Sequence, residues 1–269
     1  MTQAFPRSRW LGGAVAVAVA ALCAGPAPAQ QNTELSEFVI GNAYHILLHE
    51  IGHLLIDQLT LPVLGQEEDA ADNFATLTLI DWDSDDADQA LADTAFGWLV
   101  RHDENRSFVE GDFFAEHDLD AQRAYRIVCH LVGTDADTYA DLALNLGVEV
   151  GEAELDKCDY AFALSAESWR RVLQPYSPAL GEKNVTTVRY EEGDGELGFF
   201  ADMLRDARVL EELEAFLNET VRLPSPVTLD SRACGEANAY YDPETRSVTM
   251  CYELMDEIAT IYEIGTGLQ

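Results

Sequence analysis

The chain has 269 residues, with 49 acidic side chains against 16 basic ones, a formal net charge of −33 and 48% hydrophobic residues. Such length and apolar content suffice for a substantial buried core, so the charge does not signal disorder. It does exclude nucleic acid, whose phosphates require a basic face, and electrostatic docking on an anionic membrane.

The first segment is a secretory signal peptide by pattern. Arg7 and Arg9 precede an apolar run over residues 11–22, and Ala27-Pro28-Ala29 provides small residues ahead of Gln30. Twelve apolar residues are too few for a membrane span, which needs roughly 20. Cleavage after Ala29 is expected, leaving residues 30–269 as one domain in an exported protein, periplasmic or secreted, with no membrane span. It removes two positive charges and no negative ones, so the net charge becomes −35. Four cysteines remain, Cys129, Cys158, Cys234 and Cys251. An even count in an exported chain points to disulfides. Three connectivities are open; Cys129–Cys158 with Cys234–Cys251 is favoured because each pair closes a local segment.

Apolar periodicity predicts helices over 34–59, 66–80, 85–102, 118–132, 137–146 and 160–174. A strand at 186–190 and a long amphipathic helix over 199–220 follow. Short strands are expected at 226–230, 237–241 and 246–252, the last two joined as a hairpin through Asp242-Pro243-Glu244-Thr245. A final helix is expected at 253–263. The expected class is α+β, mostly helical, with a small sheet from the C-terminal third. The acid run at residues 81–86 lacks the glycine and terminal glutamate of a calcium loop and reads as a capped helix start.

Chemistry is carried by His49-Glu50-Ile51-Gly52-His53. An H-E-x-x-H on a helix projects both imidazoles from one face, at a spacing that suits one zinc ion. Composition alone would give roughly 0.01 such matches in this chain. Glu50 then stands beside the metal as general base for a metal-activated water. Fifteen residues past His53, Glu68 and Asp72 share a helix face. Glu68 can complete a His2Glu zinc site, and Asp72 can accept a hydrogen bond from the second nitrogen of His49. Glu67 is an alternative ligand.

This pattern resembles the gluzincin metallopeptidases, which pair H-E-x-x-H with E-x-x-x-D on a second helix. The resemblance implies a zincin-like fold, one Zn2+ held by His49, His53 and Glu68, general base Glu50, and Asp72 behind His49. More narrowly, the segment from His49 to Ala75 and the segment from Cys234 to Leu254 resemble a bacterial metallopeptidase family otherwise classed as a domain of unknown function. Asn238-Ala239-Tyr240-Tyr241 is similar to the cleft-bordering strand of thermolysin-like enzymes, which implies substrate binding by Asn238, Ala239 and Tyr241. In those enzymes the strand precedes the zinc helix; here it follows it.

Tyr240, Tyr241, Tyr252 and His130 are the residue types that could stabilise an oxyanion, with no motif to select among them. His130 is expected to face solvent or cap its helix, and His45 to line the rim of the metal site. His102 and His117 carry no signal. The expected function is an exported zinc metallopeptidase acting on a peptide or protein substrate. The alternatives are a non-catalytic zinc-containing envelope scaffold, or a zinc amidohydrolase acting on a non-peptide amide.

Overall fold

The computed structural model describes residues 28–104 and 117–267. The expected signal peptide lies outside the described residues, except for its last two positions, which begin the first helix. The fold is α+β, mostly helical with a small mixed sheet in the C-terminal third. Among the described residues no helix is long and apolar enough to cross a membrane.

Helix α1, Pro28–Leu59, is the axis of the molecule. Leu47, Leu48, Ile51, Leu54 and Leu55 are fully buried, because α1 is covered on several sides rather than one. Helices α2 (Glu67–Trp82) and α3 (Asp85–Glu104) pack on it, as do the C-terminal helix α9 (Tyr252–Thr266) and part of the sheet. Thr60 takes a left-handed conformation that stops α1, and the turn through Pro62 and Gly65 sends α2 back along it. Ser84 accepts a hydrogen bond from the Ala87 backbone at 3.2 Å, so the acid run before α3 is indeed a capped helix start.

Helices α4 (Asp120–Thr134) and α5 (Ala136–Asn145) follow, then α6 (Glu152–Leu173), which begins eight residues earlier than the periodicity predicts. Cys129 of α4 is bonded to Cys158 of α6, and Cys234 to Cys251. Both favoured pairings are therefore present, and they fit an exported protein. On a chain-entropy account, closing loops of these lengths contributes about 3–4 kcal/mol each.

The expected long helix at 199–220 is two helices, α7 (Leu197–Asp206) and α8 (Val209–Thr220), separated by Arg208 at φ 55°. The reason is phase. Leu204 is buried, and an unbroken helix would place Arg208 one turn later on the same face. The break instead turns Val209, Leu210, Leu213 and Leu217 inward, all fully buried.

Strand β1 (Thr186–Tyr190) pairs in parallel with β2 (Val227–Arg232), and β2 in parallel with β4 (Ser247–Cys251). Strand β3 (Ala239–Asp242) pairs antiparallel with β4 and forms one edge of the sheet. Asp242 accepts from the Glu244 backbone at 2.8 Å and from the Thr245 hydroxyl at 2.7 Å, which fixes the expected hairpin turn. Edge strand β3 lies against α1.

The α1–α2 crossing is unusually close. A Cβ added at Gly52 would stand 3.0 Å from the Ala71 Cα. Alanine normally stabilises a helix interior over glycine by roughly 0.5–1 kcal/mol. Gly52→Ala is expected to reverse that sign and destabilise the protein by about 1–3 kcal/mol, because two backbones must separate. Chemical denaturation of the wild type and the variant measures it.

Asp93 of α3 accepts a hydrogen bond from Gln89 at 2.8 Å. Burial, reinforced by the nearby Glu37, raises its carboxyl to about 6 against that hydrogen bond. The folded state therefore binds a proton more tightly than the unfolded state, and this contribution to stability is lost as pH rises from about 4 to 6. Asp93→Asn is expected to raise stability at pH 7 by about 1–2 kcal/mol and to flatten the decline across that window, measured by melts at a series of pH values.

Candidate metal centre

His49 and His53 lie one turn apart on α1, and Glu67, Glu68 and Asp72 lie on the first two turns of α2. The close crossing at Gly52 lets these side chains meet. His49 Nε2 and His53 Nε2 are 3.1 Å apart, and Glu68 Oε2 stands 3.1 Å from the first and 3.4 Å from the second. Two ligands of a tetrahedral zinc, each at 2.0–2.1 Å, stand roughly 3.4 Å apart.

The outer nitrogens of both rings are committed. His49 Nδ1 lies 2.8 Å from Asp72 Oδ1, and His53 Nδ1 lies 2.8 Å from Glu67 Oε1. A carboxylate accepts only, so each Nδ1 carries a hydrogen, and each Nε2 is the nitrogen left to bind a metal when its ring is neutral. Two Nε2 atoms and a carboxylate oxygen thus face one another. Glu68 Oε2 is buried and makes no well-directed hydrogen bond to any of the nitrogens around it. Such a cluster could hold a cation, and imidazole with carboxylate is a donor set that suits zinc. The protonation equilibria reflect the same crowding of charge. Burial pushes the His49 imidazole down, but the adjacent Asp72 and Glu68 carboxylates outweigh burial and carry it up to about 9. Against its own desolvation, the Glu68 carboxyl is held well below the usual range by the imidazoles around it, and Asp72 by His49 and Arg123.

Asp72 is in turn gripped by a residue that periodicity did not mark. Arg123 of α4 donates to it twice, Nε at 2.9 Å and Nη2 at 2.7 Å, and its guanidinium lies 3.9 Å from the centre of the Trp98 ring. Arg126, three residues on, pairs with Asp69 at 3.0 Å and with Asp118. These contacts dock the start of α4 on α2 and bring His117 to the site, its Nε2 2.8 Å from Glu68 Oε2. His49, Glu68 and His117 form a second group with metal-binding proximity, sharing two members with the first.

Glu50 is buried beside this cluster and reaches a cleft. Burial raises its carboxyl, against the pull of His49 and His53 and of a hydrogen bond from the Tyr241 backbone. The cleft has two lobes of about 370 and 510 Å³, and His49, Glu50, His117, Asn238 and Ala239 line both. The first lobe is floored by Phe38, Trp98, Ile258 and Ile261. Tyr241 joins the wall of the second. Asn238 O accepts from the Cys251 backbone at 3.0 Å, so Asn238 faces β4, and strand alternation turns the main-chain groups of Ala239 and Tyr241 to the free edge. The Tyr241 hydroxyl donates to Asp57 at 2.7 Å and fastens β3 to the end of α1.

Several expectations need correction. His130 neither faces solvent nor caps a helix: it is buried against Asn73 at 2.8 Å, and burial followed by the charge of Arg126 lowers it to about 4. His45 is no rim residue: it is buried, 3.1 Å from the Thr76 hydroxyl, and desolvation lowers it to about 3. The Tyr252 hydroxyl is spent on the Glu191 and Ser231 carbonyls, and that of Tyr240 accepts from Arg232. Glu67 orients His53 through Nδ1 instead of joining the inward-facing cluster. His117, without signal in the sequence, stands at the cluster. No spacing rule links residue 117 to residue 49. Arg123 and Arg126 did leave a trace: in a chain with so few basic residues, two arginines on one helix face point to fixed acidic partners.

Asp72→Ala is expected to weaken metal affinity about 10- to 100-fold and to destabilise the metal-free protein by about 3–5 kcal/mol, since it strands Arg123. Glu67→Gln, near the rim, is expected to weaken affinity less and leave stability unchanged. Chelator competition and melts of the metal-free variants separate the two effects.

A family model described as "Putative metallopeptidase" (DUF4344) matches residues 22–173 and 192–266, most of the chain. Neither curated proteins nor solved structures gave a match.

Proposed function

The chain belongs to this metallopeptidase family, and on that premise we propose that it is an exported zinc metallopeptidase with Glu50 as general base. The observation that carries the reading is the placement of Glu50. It stands buried between the His49, His53 and Glu68 cluster and the free edge of β3, and it opens on both lobes of one cleft. A site built only to hold a metal has no need of such a carboxylate.

His49, His53 and Glu68 would hold the ion, and Asp72 and Glu67 would fix the two imidazoles. A zinc ion so held would supply a Lewis acid that polarises a carbonyl and acidifies water. Glu50 takes the proton of the attacking water and returns it to the leaving amine. Its raised carboxyl is suited to both transfers, being a stronger base than an ordinary glutamate and a competent acid once protonated. An extended peptide adds to the free edge of β3 through the main chain of Ala239 and the Tyr241 carbonyl, flanked by Asn238. The Tyr241 N–H is already used to aim Glu50.

His117 favours a second reading. A fourth protein donor is the mark of a structural metal site, and His117 stands 2.8 Å from Glu68. Under that reading the protein is a metal-containing envelope scaffold. Glu50→Gln distinguishes the two. It is expected to keep full metal content and to lose peptide hydrolysis by at least about 100-fold, with metal analysis and digestion of an unstructured protein measured on the same samples. Wild-type rates in the variant would refute the mechanism. Equal inertness of both proteins toward peptides would favour the scaffold, and turnover of amides other than peptides by the wild type would mark an amidohydrolase using the same residues.

A further inference from the structure

We infer that His117 is a fourth, displaceable protein ligand of the metal, one that closes the site at rest and must swing away for substrate to enter. The inference rests on the metal reading above and adds a residue and a resting state to it.

Four observations carry it. First, His117 Nε2 approaches the same oxygen, Glu68 Oε2, that faces His49 and His53, and at 2.8 Å its approach is the shortest of the three. Its ring also stacks on that of His49, with centroids 5.8 Å apart and planes 23° from parallel. An imidazole in that position adds a nitrogen to a set that could already hold a cation. Second, it comes from a different part of the chain. The other three ligands sit on α1 and α2, whose crossing is fixed by the core, whereas His117 lies ahead of α4, outside any helix. Third, its side chain is 47% exposed, against 4% for His49 and 15% for His53. Nearly half of its side chain already meets solvent. Fourth, it lines both lobes of the cleft, so any chain lying across both passes it.

The adjacent Asp118 gives the motion a pivot. Its ion pair with Arg126, which also holds Asp69, keeps the backbone at 118 on α2, so only the side chain at 117 has to turn. At rest the fourth position is taken by His117 Nε2. When a ligand stronger than one exposed imidazole arrives, rotation about the side-chain bonds of His117 vacates it. The remaining three ligands keep their places because Asp72 and Glu67 hold the rings from behind.

The test uses the full exported chain with its disulfides intact, loaded with Co2+ as a spectroscopic probe and with Zn2+ for affinity. His117→Ala is expected to bind Zn2+ about tenfold more weakly and to lose intensity in the visible cobalt bands as water enters the coordination shell. His117→Cys is expected to show a near-ultraviolet thiolate-to-cobalt charge-transfer band, which arises only if residue 117 touches the metal. Acetohydroxamate, a bidentate zinc binder, is expected to bind the alanine variant several-fold more tightly than the wild type, since nothing has to be displaced. Unchanged Zn2+ affinity and cobalt spectra in His117→Ala would overturn the fourth ligand. Equal hydroxamate affinity would overturn its displacement. His49→Ala serves as the reference: if the wild type takes up no more metal than this variant, the metal centre itself fails, and the inference with it.

Discussion

Helices α1 and α2 touch backbone to backbone where Gly52 meets Ala71, and the rest of the site depends on that contact. Histidine and glutamate side chains are short. They can share one point in space only if the helices that carry them run closer than ordinary side chains allow. The glycine inside the H-E-x-x-H segment therefore has a structural task separate from the chemistry of its neighbours. The fully buried leucines and isoleucine of α1 hold the pair together, so the geometry of these side chains is set by the core and not by the cluster itself.

That enforced proximity has an electrostatic consequence. Two imidazole Nε2 atoms and a carboxylate oxygen are pressed together, with the outward nitrogens of both rings already hydrogen-bonded. The cluster is surrounded by a second ring in which Asp72 and Glu67 hold the histidines, and Arg123, stacked on Trp98, holds Asp72. The chain has only 16 basic residues. Spending Arg123 and Arg126 behind the site shows how an extremely acidic protein can still keep a local anionic cluster in order. The many remaining acids act at the surface, where mutual repulsion favours solubility and leaves the fold to the core.

The C-terminal third supplies the opposite wall. Edge strand β3 is held from both ends. The Cys234–Cys251 bond ties the loop before it to the end of β4, and Tyr241 fastens it to Asp57 on α1. Its free edge then faces Glu50 at a fixed distance from the histidines. The second disulfide does equivalent work on the other side, joining α4 to α6, and α4 carries the arginines and brings His117 to the site. Both covalent links thus stabilise elements that frame the cleft while lying outside α1 and α2.

The sequence by itself determined what repeats or pairs locally. The H-E-x-x-H helix, the first acidic turn of α2, the hairpin at Asp242 and strand β1 were legible because each is written within one helix turn, one strand or one short loop; the α+β class follows from their order, and the cysteine pairs from joining neighbours in sequence. What it could not give was phase and partnership across the fold. The break at Arg208 is invisible to a scale that sees only an amphipathic run, since the slip in apolar phase matters only against a particular core. Burial of His45 and His130, the grip of Arg123 on Asp72 and the arrival of His117 beside Glu68 all arise where helices cross. Residues 49, 68, 117 and 123 have no common period. The α1–α2 crossing brings 49 and 68 together, and the docking of α4 beside it, through the Arg123 and Arg126 pairs, adds 117 and 123; tertiary structure decided that part of the site.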